Sequence, residues 1–241
     1  MSRHLQPGFS RNRLLSILPA EDFDRLRPHL QRVSLEFKQV LEQPNQPIQN
    51  VYFMEPGVGS IVAVSTGGER LEVGIFGPEG VSGLAVVQGS DRSPHETFIQ
   101  VPGEAIRISA VALRNAFEES AALRGLLLRY AQAFTIQVAY TALANGRYGI
   151  DERLARWLLM CHDRVDGDTF PITHEFLALM LGVRRAGVTT ALQGLEGLEA
   201  IKASRGKIEI VDRDELVKCA GASYGVPERE YERLLDEQSK P

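Results

Sequence analysis

The apolar positions change their period along the chain, and each change marks a different kind of element. Phe9 to Pro19 reads as a short helix, with Ser10 as its N-cap and Pro19 beyond its end. A second helix is expected from Glu21 to Leu30. From Gln31 the period becomes two: Val33, Leu35 and Phe37 alternate with polar residues. Apolar runs at Val51–Met54, Ile61–Val64, Leu71–Ile75, Phe98–Val101 and Ile106–Ile108 continue it, as short strands do. Turn residues punctuate them at Glu55-Pro56-Gly57, Thr66-Gly67-Gly68-Glu69, Gly77-Pro78-Glu79-Gly80 and Pro102-Gly103-Glu104, a spacing that suggests a sandwich or barrel. Gly67-Gly68 is the best hairpin candidate.

After Ser109 the pattern is helical up to Asn145-Gly146, with a break expected near Glu119-Ser120. Such a stretch would reach about 45–55 Å. Within it Leu123, Leu127, Tyr130, Phe134, Gln137, Thr141 and Ala144 step by four and three. That seam fits a helix paired with a copy of itself, or one laid on its own β domain.

Asp151 can cap a further helix through Leu154, Trp157, Leu158 and Cys161, followed by an Asp166-Gly167-Asp168 loop and an extended piece at Phe170-Pro171-Ile172. Thr173 to Leu192 then reads as cap, helix, glycine, helix. Gly182 permits a left-handed turn and Ala178 a close crossing, while Leu177, Met180, Val183, Val188, Leu192 and Leu195 bury the joint. This leaves Arg184, Arg185, Thr189 and Thr190 near the exposed start of the second helix, with Thr173 and His174 opening the first. Arginine can pair bidentately with guanine, and threonine can touch phosphate or a thymine methyl. Leu198 to Ile210 adds a helix end and two strands about a basic turn at Arg205-Gly206-Lys207, the pattern of a wing. Between Arg184 and Lys207 stand five cations (Arg184, Arg185, Lys202, Arg205, Lys207) against Glu196 and Glu199, a local basic patch suited to phosphate contact. Beyond Val211 come a helix, a Gly221-Ala222-Ser223 loop, and an amphipathic helix opened by Pro227 with Tyr231, Leu234 and Leu235 on one side.

Composition narrows the class. The chain has 241 residues, 44% of them hydrophobic and 24% charged, which fits two compact globular units and excludes disordered and fibrous classes. A net charge of −4 makes any DNA site a local patch. The apolar runs are too short to span a bilayer, so no membrane partner is expected and the cytoplasm is the expected compartment. Cys161 and Cys219 are far apart, which fits a reducing environment, and two thiols cannot hold an iron–sulfur cluster. His4, His29, His95, His162 and His174 are scattered, so no metal or other cofactor is expected. No nucleophile elbow, Walker-type loop or carboxylate pair is recognisable, and no catalytic residues or enzymatic activity are expected.

The order of parts resembles the cyclic-AMP receptor protein and fumarate-nitrate regulator (CRP/FNR) family of bacterial transcription factors. The resemblance spans roughly Leu14 to Asp212 and is carried by Leu14–Pro19, Val51–Gly57, Phe76–Ser93 and above all Ile172–Glu196 with the wing. It implies an α+β chain: a cyclic-nucleotide-binding-like β-roll (a double-stranded β-helix or jelly roll) over residues 1–112, a long dimerisation helix over 113–149, and a winged helix-turn-helix with a helical tail over 150–241. It implies a homodimer joined through Leu123, Leu127, Tyr130, Phe134, Gln137 and Thr141, bound to a palindromic operator in double-stranded DNA, with RNA polymerase as a protein partner. Arg185 falls where the family has its base-reading arginine, Ala186 where it commonly has Glu, Thr190 where the cyclic-AMP receptor has a second Arg, and Arg184 where Ser usually caps the recognition helix. The operator is therefore expected to differ from the cyclic-AMP receptor's.

Cyclic-nucleotide members hold their ligand with a Gly-Glu-Leu turn and an Arg-Ser pair ten residues beyond the Glu. Here Arg92-Ser93 is present, but the step back lands on Ser82 in Val81-Ser82-Gly83-Leu84, so the ribose-binding carboxylate is missing. The backbone of Ser82, Gly83 and Leu84 could still form an anion nest beside Arg92 and Ser93 for an unidentified small-molecule effector. Cyclic AMP is not expected to bind tightly. Two other readings are an effector-independent regulator whose roll is only a scaffold, and a cupin-like small-molecule-binding protein.

Overall fold

A computed structural model describes residues 10–236. Helix α1 (Arg13–Ser16) is capped by Asn12, whose side chain accepts from the Leu15 N–H and donates to the carbonyls of Met54 and Gly80. The expected cap, Ser10, instead donates to Glu55 at 2.6 Å; the fully buried Asn12 anchors the helix to the strands as well as capping it. Helix α2 (Ala20–Leu26) stops short of the expected Leu30 and tightens into a single 3₁₀ turn at Arg27–His29, because Pro28 has no N–H to continue the helix.

The roll consists of β1 (Gln31–Leu35), β2 (Val40–Glu42), β3 (Asn50–Met54), β4 (Val58–Val64), β5 (Arg70–Phe76), a one-turn helix α3 (Leu84–Val87), β6 (Glu96–Val101) and β7 (Gly103–Ser109). Two antiparallel sheets, ordered β1-β7-β3 and β2-β6-β4-β5, enclose Leu35, Met54, Ile61, Phe76, Ile99 and Ala105. Phe37, expected to extend β1, lies outside it and is exposed.

Helix α4 (Ala110–Glu119) and helix α5 (Ala121–Arg147) are separated at Ser120, whose extended backbone ends the first while its hydroxyl accepts from Leu123 N–H to cap the second. The long helix is therefore 27 residues, about 40 Å, rather than the full stretch. Its Leu123, Leu127 and Tyr130 enter a core with Phe53, Val81 and Ile106 of the roll. Gln137 accepts from Ile75 N–H at 2.8 Å. Phe134 packs where a Cβ on Gly74 would come within 2.6 Å of its ring, so β5 needs glycine there. Half-buried Thr141 receives Arg156 at 3.2 Å.

These contacts correct the expected dimer seam. Leu123, Leu127, Tyr130, Phe134, Gln137 and Thr141 face this chain's own domains. The outward stripe is Ala121, Leu128, Gln132, Thr135, Ala139 and Ala142, which keeps the same heptad spacing and is exposed.

Helix α6 (Ile150–His162) starts one residue before the expected cap Asp151, with Gly149 N–H bonded to Glu152 at 2.8 Å. There follow β8 (Thr169–Pro171), α7 (His174–Leu181), α8 (Arg185–Gly197), β9 (Ile201–Ser204), β10 (Lys207–Ile210), α9 (Arg213–Ala220) and α10 (Val226–Asp236). The roll and the winged region pack on one another. Val58, Val62, Ile75, Phe98 and Val101 of the roll share one core with Trp157, Leu158, Phe176, Leu177 and Leu192.

A polar cluster sits in this seam. Trp157 Nε1 donates to Glu72 at 2.7 Å, and Gln100 Nε2 reaches Cys161 Sγ at 3.2 Å. Ser60 Oγ lies 2.7 Å from Glu72 and 2.5 Å from Gln100 Oε1; its single proton cannot serve both acceptors, and a proton on Glu72 completes the set. Burial pushes Glu72 up to about 7, against the hydrogen bonds from Ser60 and Trp157 and the charges of Arg156 and Arg164. The tail returns to the roll: Tyr231 donates to the Glu79 carbonyl at 2.7 Å, Glu232 pairs with Arg13, and Leu235 is buried.

Candidate nucleic-acid interface and sensor turn

Thr173 caps α7 by accepting from Phe176 N–H at 3.2 Å, and Gly182 ends that helix at φ +62°, a conformation that L side chains rarely adopt. Val188, Ala191, Leu192 and Leu195 of α8 pack against Phe176, Leu177 and Met180. This burial turns the opposite side of α8 outward, exposing Arg184, Arg185, Ala186, Thr190 and Gln193. Arg184 stands in the N-cap position with extended backbone and makes no capping hydrogen bond.

The wing is three-stranded, since β8 pairs with β10 across from β9. Ala203, Ile201, Ile208 and Ile210 alternate toward the core, and Glu196 accepts from Ala203 N–H at 2.9 Å, joining α8 to the wing. A concavity between helices and wing is lined by Thr173, His174, Arg185, Thr189, Gln193 and Arg205, among others. The fold thus brings five expected residues around one groove and adds Gln193, which sequence reading missed although it continues the Arg185, Thr189 face by one turn. Thr189 is half-buried: it donates to the Arg185 carbonyl and lies 3.1 Å from His174 Nδ1, so both side chains brace the α7–α8 joint. Arg184, Thr190, Lys202 and Lys207 stand outside the groove lining but are exposed. Lys202 faces Glu209 across the β9–β10 ladder, and Lys207 faces Ser204. Among the described residues, none of Arg184, Arg185, Lys202, Arg205 and Lys207 has an ion pair.

The turn at Val81–Leu84, expected to face an effector, is closed by contrast. Ser82 is fully buried, its N–H donating to the Tyr52 carbonyl and its hydroxyl accepting from Tyr52 N–H. Gly83 precedes α3 and donates its N–H to the Glu42 carboxylate at 2.8 Å. Burial raises Glu42 above the usual carboxylate range, while Gly83 N–H and the hydroxyls of Thr97 and Ser82 hold it down. Arg92 is exposed and grips its neighbour Asp91 at 2.9 and 3.0 Å; Ser93 accepts from His95 N–H. Of the expected nest of Ser82, Gly83 and Leu84 with Arg92 and Ser93, the N–H groups of Ser82 and Gly83 are held within the chain and Arg92 pairs with Asp91. Strand β2, unforeseen in the sequence, delivers a carboxylate onto the turn, and the arginine is held elsewhere.

Among the described residues no group of three or more His, Cys, Asp or Glu is placed to hold a metal. No helix there is long and apolar enough to cross a membrane.

Residues 152–219 match the model of the Crp-like helix-turn-helix domain. The whole fold is similar to solved structures. A crp/fnr-family protein from Eubacterium rectale has 18% identity and a TM-score of 0.68, covering 87% of this chain and 98% of its own. FixK2 from Bradyrhizobium japonicum has 16% identity and a TM-score of 0.66, covering 80% and 98%. A CRP/FNR-family transcriptional regulator from Thermus thermophilus has 18% identity and a TM-score of 0.64, covering 80% and 100%. A search of curated proteins finds no match.

Proposed function

We propose that this chain, which resembles the CRP/FNR regulators in fold and carries their type of helix-turn-helix, is a DNA-binding transcription regulator. The observation that carries the reading is the recognition surface: five cations around α8 and the wing, all without ion pairs among the described residues, beside a groove that exposes Arg185 and Gln193. Unpaired cations supply phosphate contact, and Arg and Gln are the side chains that pair bidentately with guanine and adenine.

The regulator acts as a homodimer through the outward stripe of α5. That helix has apolar residues on both sides and only Arg124, Arg129 and Arg147 as charged residues. One side is covered by the roll, and a second copy is the partner that matches a heptad-spaced stripe of Ala139, Thr135 and Leu128. Two recognition helices then address half-sites about 34 Å apart in a palindrome. The sensor turn binds no cyclic nucleotide tightly, because Glu42 already holds the Gly83 N–H and Arg92 is engaged by Asp91. A submicromolar Kd for cyclic AMP by calorimetry would refute this last point.

Selection of tight binders from a pool of short duplexes, read by fluorescence anisotropy at two salt concentrations, tests the main reading. A palindrome should emerge, and Arg185→Ala should lose about 1–3 kcal/mol of discrimination at one position of each half-site. Binding indifferent to sequence would refute it.

A further inference from the structure

A half-open cavity of about 550 Å³ lies where the roll, α5, the end of α6 and the tail meet, apart from both the DNA face and the sensor turn. Its size is that of small-molecule sites. Tyr130, Phe134 and Tyr231 give it aromatic walls, and its polar groups sort themselves by what already satisfies them. The carboxylates are engaged: Glu79 holds Arg164 at 2.6 Å, Asp163 takes Tyr224 at 2.7 Å together with Arg213, Glu228 accepts from Gly225 N–H at 2.9 Å, and Glu232 pairs with Arg13.

Two of its side chains keep donors without a partner among the described residues. Gln137 is 8% exposed and locked by Ile75 N–H on its oxygen, so its amide nitrogen, without a partner among the described residues, opens on the cavity floor. Arg229 is exposed at the cavity's edge, and its guanidinium makes no hydrogen bond or ion pair among the described residues. A site with aromatic walls, occupied carboxylates and free donors calls for a ligand with acceptors and negative charge.

We propose that this cavity binds a small organic carboxylate on a flat apolar body, with the carboxylate at Arg229, the body against Tyr130, Phe134 and Tyr231, and a second oxygen accepting from Gln137. Such a ligand touches the roll, the long helix and the tail of the winged domain at once. Its use as an effector rests on the regulator reading; its binding does not.

Calorimetry on the full chain without DNA tests the site, using 6-hydroxy-2-naphthoate, its neutral carboxamide, and 2-naphthoate, which lacks the far oxygen. The hydroxynaphthoate should bind one per chain, and both other probes should bind more weakly, the carboxamide by about tenfold or more. Arg229→Gln, an exposed change, should weaken the hydroxynaphthoate by about the same factor and leave the carboxamide unaltered. Absence of binding, or binding indifferent to probe charge and to Arg229→Gln, overturns the proposal. Failure of the duplex selection would instead count against the regulator reading alone.

Discussion

The recognition face and the sensor turn are both turns that feed a helix, and they differ in where their polar groups end. Around α8 and the wing, arginines and lysines reach solvent without ion pairs among the described residues. Around α3, three groups that a ligand could use are already answered from within the chain: Gly83 by Glu42, Ser82 by Tyr52, Arg92 by Asp91. Unanswered groups mark a surface kept for another molecule, and answered ones mark structure. Substitutions on open surfaces should therefore change binding and spare stability, while those on closed surfaces should do the reverse.

The largest expected effect is on the open side of α5. Ala139→Glu places a charge in the outward stripe; the chain should sediment as a monomer, and operator affinity should fall by about 10²-fold or more as the second half-site is lost. An unchanged dimer would mean that the copies meet elsewhere. On the closed side, Glu42→Ala leaves Gly83 N–H buried without its acceptor and should cost about 1–3 kcal/mol in denaturant unfolding, with operator affinity intact. If Glu42→Ala instead gained tight cyclic AMP binding, the turn would be a masked site rather than a structural one.

A third prediction uses the seam between roll and winged domain. Glu72 is raised from 4.5 to about 7 by burial, so the native state favours its neutral form. The stability this contributes is complete below about pH 4.5 and is lost as pH rises through 7. Trp157, the single tryptophan of the chain, donates to Glu72 and reports the change. Its emission should shift across pH 6 to 8, and Glu72→Gln should flatten that shift. The smallest effect is expected at the wing: Lys207→Gln should lower affinity alike for all sequences and reduce the salt slope by about one.

Much of this was legible in the chain because it depends on local grammar. Thr173, Gly182 and the apolar joint specify the helix-turn-helix from their own spacing. Strand β2 was not legible, since Val40-Leu41-Glu42 is too short to show a period. The seam of α5 shows a different limit: both of its sides repeat in steps of four and three, and periodicity states that a face is covered without saying by what. Leu123 and Leu128 are distinguished only when the roll is in place. Arg92 shows a similar limit, because a ten-residue spacing to Ser82 carries no information about its pairing with Asp91.

The core shared by Phe98, Ile75, Trp157 and Phe176 also sets how the molecule can be taken apart. A fragment cut at Gly149 would not be a module that could be grafted onto another sensor. It would carry away one half of an apolar joint, with Trp157 and Phe176 newly wetted, and the remaining roll would be left with the matching bare sheet. Domain exchange with a relative would have to recombine within the loops of each half and keep the two sides of that joint from the same parent.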